Sequence, residues 1–133
     1  MGIERIQPID LTLTVRELLD NYSREVQESV DKAVQTAGKQ ALKSVKQRSP
    51  VKTGAYKKGW RIKKQKSGAR KDKHSITIYN VSKPYLTQLL ENGHQKTGGG
   101  RVEGIPHIRP AYEEAQRQLE ELTRQAIEEA TGG

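Results

Sequence analysis

Apolar residues recur every three to four positions over the first third of the chain, at Leu18, Leu19, Tyr22, Val26, Val30, Val34, Ala37, Ala41 and Val45. That spacing draws one stripe down one face of an α-helix. Thr14 followed by Glu17 fits a capping box, in which each side chain accepts a bond from a backbone donor of the first turn, so a helix is predicted over 14–49. A helix of that length spans roughly 50 Å at 1.5 Å per residue. A rod so long exceeds what a small domain needs for its own core, and part of its stripe is expected to face another chain. Gly38, which costs about 1 kcal/mol relative to alanine in a helix interior, is a candidate break or bend.

The period then changes. Ser49-Pro50 ends the helix, because proline lacks the donor and clashes with the preceding turn, and Gly54 allows the chain to reverse. Tyr56, Trp60 and Ile62 alternate with lysines, and Ile76 and Ile78 alternate with Thr77 and Tyr79, which predicts an antiparallel β-hairpin over 55–80. Its link, Ser67 to Lys73, is polar and contains glycine. Trp60 reads as the anchor of sheet on helix, with base stacking the weaker alternative. Pro84 opens a short helix over 84–92 that Gly93 closes. Residues 93–106, rich in glycine and without an apolar period, read as a long mobile loop. A last helix over 109–130 carries Ala111, Ala115, Leu119, Leu122, Ala126 and Ile127 opposite its glutamates. The expected fold is therefore α+β: a long N-terminal and a C-terminal helix on a small antiparallel sheet, in a single domain behind an N-terminal arm over 1–13.

Composition sharpens this picture. Only 32% of 133 residues are hydrophobic, with no Phe and one Trp, so a private core must be thin and assembly with other copies is the expected remedy. The absence of cysteine excludes disulfides, thiolate zinc sites and thiol catalysis. No apolar run is long enough to span a bilayer and no signal-peptide pattern opens the chain, so a soluble protein without a membrane partner is expected. The net charge of +8 is unevenly placed. Fourteen Lys and Arg stand against Asp72 alone between Lys39 and Lys73, whereas six Glu stand against Arg117 and Arg124 between Glu113 and Glu129. A basic middle of this kind attracts nucleic acid, docks an acidic neighbour, or is simply a solvated face.

Motifs for chemistry are weak. His94 and His107 flank the glycine-rich segment, but only Glu91 and Glu103 accompany them, which is thin support for a metal-dependent nuclease. Thr97-Gly98-Gly99-Gly100 lacks the lysine and hydroxyl of a phosphate-binding loop. No serine or threonine has an identifiable base partner. No enzymatic activity and no cofactor are expected.

A helix ending in Ser49-Pro50-Val51-Lys52-Thr53-Gly54, a basic strand with an aromatic, Tyr85 with Leu89-Leu90-Glu91-Asn92-Gly93-His94, and Pro106-His107-Ile108-Arg109-Pro110-Ala111 together resemble the tail-component family of tailed phages typified by gene product ten of the lambdoid siphophages. The resemblance spans about residues 10 to 130. Many relatives have an aromatic where this chain has His107-Ile108 and a Gly-Thr pair where it has Gly93-His94, which points to a subgroup. The resemblance implies a non-enzymatic tail-completion or neck protein. Such a protein joins the tail tube to the head as a homo-oligomeric ring, most simply a hexamer, beside head-completion or stopper and tail-terminator or tail-tube proteins. It would reside in the virion after assembly in the host cytoplasm, with non-specific DNA contact possible. Candidate contact residues are Lys57, Lys58, Arg61, Lys63, Lys64, His94, Lys96, Arg101, His107 and Arg109. A basic nucleic-acid-binding protein and a metal-dependent nuclease are the alternative readings.

Overall fold

A computed structural model describes residues 11–15, 22–50, 54–64 and 75–132. The first element is a strand, β1 (Leu11–Thr14), in which Leu11 and Leu13 are buried and Thr12 is exposed. Helix α1 (Arg24–Arg48) follows, with Ser23 as its cap: the Ser23 side chain accepts a bond from the Val26 N–H at 3.2 Å. The predicted start at Thr14 is thus corrected. Thr14 pairs with Ser75 across the sheet, because Leu-Thr-Leu-Thr alternates and its threonines suit a pleated surface, while Glu17, Leu18 and Leu19 lie outside the described residues. Helix α1 ends where expected, at Ser49 before Pro50.

Next come a single helical turn, α2 (Ala55–Lys58), and then β2 (Trp60–Lys64) and β3 (Ser75–Asn80). Tyr56 belongs to α2, not to a strand as its alternation with lysines suggested. Gly54, at φ +85°, begins that turn from a left-handed conformation in which a side chain would be strained. The predicted hairpin link, 67–73, lies outside the described residues. A 3-10 turn (Pro84–Leu86) runs into α3 (Thr87–Asn92). The predicted mobile loop contains two short antiparallel strands, β4 (Gly93–Gln95) and β5 (Arg101–Glu103), joined by a glycine-rich tip. Three-residue strands are too short to show a period. Helix α4 (Ile108–Ala130) completes the α+β fold.

The sheet has the order β1-β3-β2 and is antiparallel throughout, with Leu11 opposite Ile78 and Ile62 opposite Ile78 on the other side. Its inner face, built from Leu11, Leu13, Ile76, Ile78 and Trp60, meets the two long helices. Helix α1 lies over β3 and β2, and α4 packs beside it over β1. The helices run antiparallel: Arg48, at the end of α1, reaches Glu114 near the start of α4 at 3.5 Å, and Ser29 and Lys32 share a groove with Gln125 and Glu129 at the opposite end.

Twenty-five residues give α1 a length of about 37 Å. Val26, Val30, Ala33, Val34, Ala37, Ala41 and Val45 are all buried by the chain's own sheet and α4. From Val26 to Val45 the stripe is therefore covered within the chain and leaves no apolar position for another chain, while Leu18 and Leu19 lie outside the described residues. Only Tyr22 of the described stripe positions stays exposed, just ahead of the helix.

Gly38 does not break α1, which runs through it as one helix. A Cβ built there would stand 1.6 Å from Cδ1 of Ile76 and 3.2 Å from Cδ1 of Ile62, so the glycine marks where the sheet comes closest to the helix. Ile76 is buried and cannot swing clear into solvent. Gly38→Ala is expected to lose about 1–2 kcal/mol in urea denaturation despite alanine's better helix propensity, because overpacking outweighs that gain. Adding Ile76→Val should recover part of the loss; a stabilising Gly38→Ala would show that the approach is looser than described.

Candidate functional site

The three sequence clusters that stand out as punctuation converge on one buried polar junction. At the end of α1 the Ser49 hydroxyl donates to the Val45 carbonyl and accepts a bond from Nε1 of Trp60 at 2.8 Å, so the first residue of β2 is pinned to the helix terminus. Trp60 is only 1% exposed and stands edge-on to Tyr56 and His107, which makes it the anchor of sheet on helix. Asn80, at the end of β3, donates to the Tyr56 carbonyl at 2.7 Å and accepts from the N–H groups of Ser82 and Lys83, closing the turn into α3.

Glu91 is the centre of this junction. Its Oε1 accepts the backbone N–H groups of His107 and Ile108, both at 2.8 Å, and its Oε2 accepts that of Arg109 at 3.0 Å. A helix start leaves its first donors without intrahelical partners. Here one carboxylate from α3 takes three of them, and Pro110, having no N–H, removes the next. The negative charge also sits where the helix dipole is positive. Burial raises the cost of ionising Glu91, yet the three backbone bonds, aided by His107, more than offset it and hold the carboxyl below its usual range.

His107 is fully buried and both ring nitrogens are engaged. Nδ1 lies 2.8 Å from the Ile105 carbonyl and 3.1 Å from Oε1 of Glu91, and Nε2 lies 2.6 Å from the Tyr56 hydroxyl. These partners fit a neutral ring that donates from Nδ1 and accepts at Nε2. Burial lowers its pKa, against the opposing pull of Ile105 and Glu91. Burial pushes the Tyr56 phenol up to about 12, a bond with Thr87 pulling the other way and the Glu91 charge adding to the rise, so the hydroxyl remains a donor.

Two glycines let the backbone close around Glu91. Gly93, at φ +82°, would bring a Cβ to 2.4 Å from the Val102 carbonyl, and a Cβ on Gly104 would meet the Glu91 carbonyl at 2.5 Å. The N–H of Ile105 bonds the Leu90 carbonyl at 2.7 Å across this crossing. Residues 93–106 are thereby tied to α3.

The candidate contact residues do not form one cluster. His107 belongs to the junction, and so does the backbone N–H of Arg109, whose side chain is exposed two residues on. Lys58, Arg61, Lys63 and Lys64 are exposed on α2 and β2, with Lys57 half-buried beside them. Lys96 sits at the tip between β4 and β5, and Arg101 donates to the Asn92 carbonyl and lies 3.8 Å from Glu103. His94 is half-buried opposite Val102 in the β4–β5 hairpin. Among the described residues no group of three His, Asp or Glu is placed to hold a metal ion.

The family model described as "Bacteriophage HK97-gp10, putative tail-component" matches residues 14–93. The chain belongs to this family of phage tail components. The match runs from the end of β1 through α1, the sheet and α3 to Gly93, and so contains Ser49, Tyr56, Trp60, Asn80 and Glu91 but stops short of α4. No curated protein and no solved structure matches the chain. Among the described residues of this tail component, no helix is long and apolar enough to cross a membrane.

The roles of Tyr56, Thr87 and Glu91 escape sequence reading. A carboxylate four residues after a threonine on a one-turn helix, followed by Asn-Gly and later by a helix start with proline at its third position, is the signal that would have found them.

The junction sets a pH dependence. Both Glu91 and His107 bind protons less readily when folded, so the unfolded chain takes up the extra proton as pH falls. Stability should decline below the ordinary His value of 6.5 and again below the ordinary Glu value of 4.5. Glu91→Gln should cost about 1–3 kcal/mol at neutral pH and flatten the lower decline. Tyr56→Phe, which strands Nε2 of His107, should cost about 1–2 kcal/mol. Urea midpoints measured from pH 7 to about 3 check each; an unchanged acid limb in Glu91→Gln would refute the assignment.

Proposed function

We propose that this tail component is a non-enzymatic tail-completion or neck protein that joins tail tube to head as a homo-oligomeric ring, most simply a hexamer. Head-completion or stopper and tail-terminator or tail-tube proteins are its neighbours. The observation that supports this reading most is the placement of opposite charge on opposite flanks. One flank is formed by β2, with Lys64, and by the α1 stripe turned from α4, where helical spacing sets Lys39 and Lys46 together. The other is formed by α4 beyond β1, where Glu113 and Glu120 are exposed. Arg124 on the same helix is tied up with Glu121 and Glu128 and adds little positive field.

Flanks that differ and complement each other make heterologous contacts, which close into a ring when the rotation per copy allows it. Charge complementarity also steers encounter and fixes register. The covered stripe of α1 means that assembly is not required to finish the core; it adds surface contacts to chains already folded. His107, one of the two candidate histidines, spends both ring nitrogens inside the junction.

Lys39→Glu with Lys64→Glu should abolish the oligomer seen by size-exclusion chromatography with light scattering, and adding Glu113→Lys with Glu120→Lys in the same chain should restore it. Immunogold labelling of virions should place the protein at the head-tail junction. Label confined to the distal tail, or a charge swap that fails to restore assembly, would contradict the proposal.

A further inference from the structure

The face of the sheet turned from the helices is built from β1, β2 and β3. Strands β1, β2 and β3 together contain no Asp or Glu at all. Thr12, Thr77 and Lys63 stand in register across the three strands, and Arg61 stands opposite Tyr79. The Thr12 and Thr77 hydroxyls are 3.1 Å apart and bonded. The Lys63 ammonium lies 5.7 Å from the centroid of the Tyr79 ring, which holds it over the face, and the Arg61 guanidinium is fixed at the sheet margin by bonds to the carbonyls of Lys58 and Trp60.

We propose that this outer sheet face binds the phosphate backbone of duplex DNA without reading sequence. Two residues apart on one strand, Arg61 and Lys63 are separated by about 7 Å. A duplex offers a phosphate charge per about 1.7 Å of its axis, so both cations find partners in many registers. The threonine hydroxyls are suitable hydrogen-bond partners for phosphate oxygens, and nothing on the face is shaped to read a base edge.

The composition favours DNA over an acidic protein. Protein interfaces concentrate aromatic and apolar side chains at their centre and are depleted in lysine. Among the described residues, the exposed large apolar side chains Tyr22, Val81, Tyr85, Ile105 and Tyr112 lie outside the three strands, and Ile62 points to the helix side near Gly38. What remains on the face is lysine, arginine, threonine and the half-buried Tyr79. This binding concerns the single chain and does not depend on ring formation.

The test uses the full-length protein, a fluorescently labelled mixed-sequence DNA duplex and anisotropy titrations between about 50 and 200 mM salt. Arg61→Gln with Lys63→Gln should weaken binding about tenfold or more at low salt and reduce the slope of log affinity against log salt by about two, as expected for two lost phosphate contacts. Lys32→Gln with Lys43→Gln, on the back of α1, makes the same change in net charge and should leave the slope unchanged. Circular dichroism verifies that each variant is folded. Equal losses in both variants, competition by polyglutamate as effective as by unlabelled duplex, or no binding by the unsubstituted chain would each overturn the proposal.

Discussion

One carboxylate organises the second half of this molecule. Glu91 reaches from the short α3 to three backbone donors at the start of α4, and without it those donors would be buried with no partner. The first turn of α4 contributes two side chains to the core, Ile108 and Ala111, and so cannot move into water to satisfy itself. Everything that fixes Glu91 therefore fixes α4: the Gly93–Gly104 crossing beneath it, Tyr56 and His107 beside it, and Trp60 holding β2 to the end of α1. The three punctuation clusters of the sequence are the pieces of this joint.

The joint also explains how so lean a composition folds. Much of the interior is valine and alanine, which bury little area each, and the helices and sheet compensate by coming close. Gly38 against Ile76 is the extreme case. Ala33, Ala37, Ala41, Ala111 and Ala115 likewise keep α1 and α4 thin where they face the core. A fold held by close approach rather than by bulk is sensitive to added methyl groups, and its polar junction needs every partner present.

Much of this was legible in the sequence. The three-to-four spacing from Val26 to Val45 gave α1 its face, Ser49-Pro50 its end, and Ile76 and Ile78 the buried side of β3. The misreadings have physical causes. Thr14 carries a plausible capping pattern, but its alternation with Leu11 and Leu13 served a strand whose partner lies more than sixty residues away. Gly38 looked like a weak point because propensity is local, whereas its use is a tertiary contact. The glycines of 93–106 suggested mobility, and two of them exist to let backbones cross. Glu91 was visible as a residue, but its three partners are backbone groups, which leave no mark in a sequence.

Membership of a phage tail-component family gives the joint a setting, since the ring we propose would need its flanks held in a fixed relation. The most direct measurement is native-state amide hydrogen exchange at His107, Ile108 and Arg109. The account predicts that these three exchange only through global unfolding, and that Glu91→Ala selectively abolishes their protection and then loosens the first turns of α4. Rapid exchange at these amides in the unsubstituted protein, with the core of α1 still protected, would contradict it.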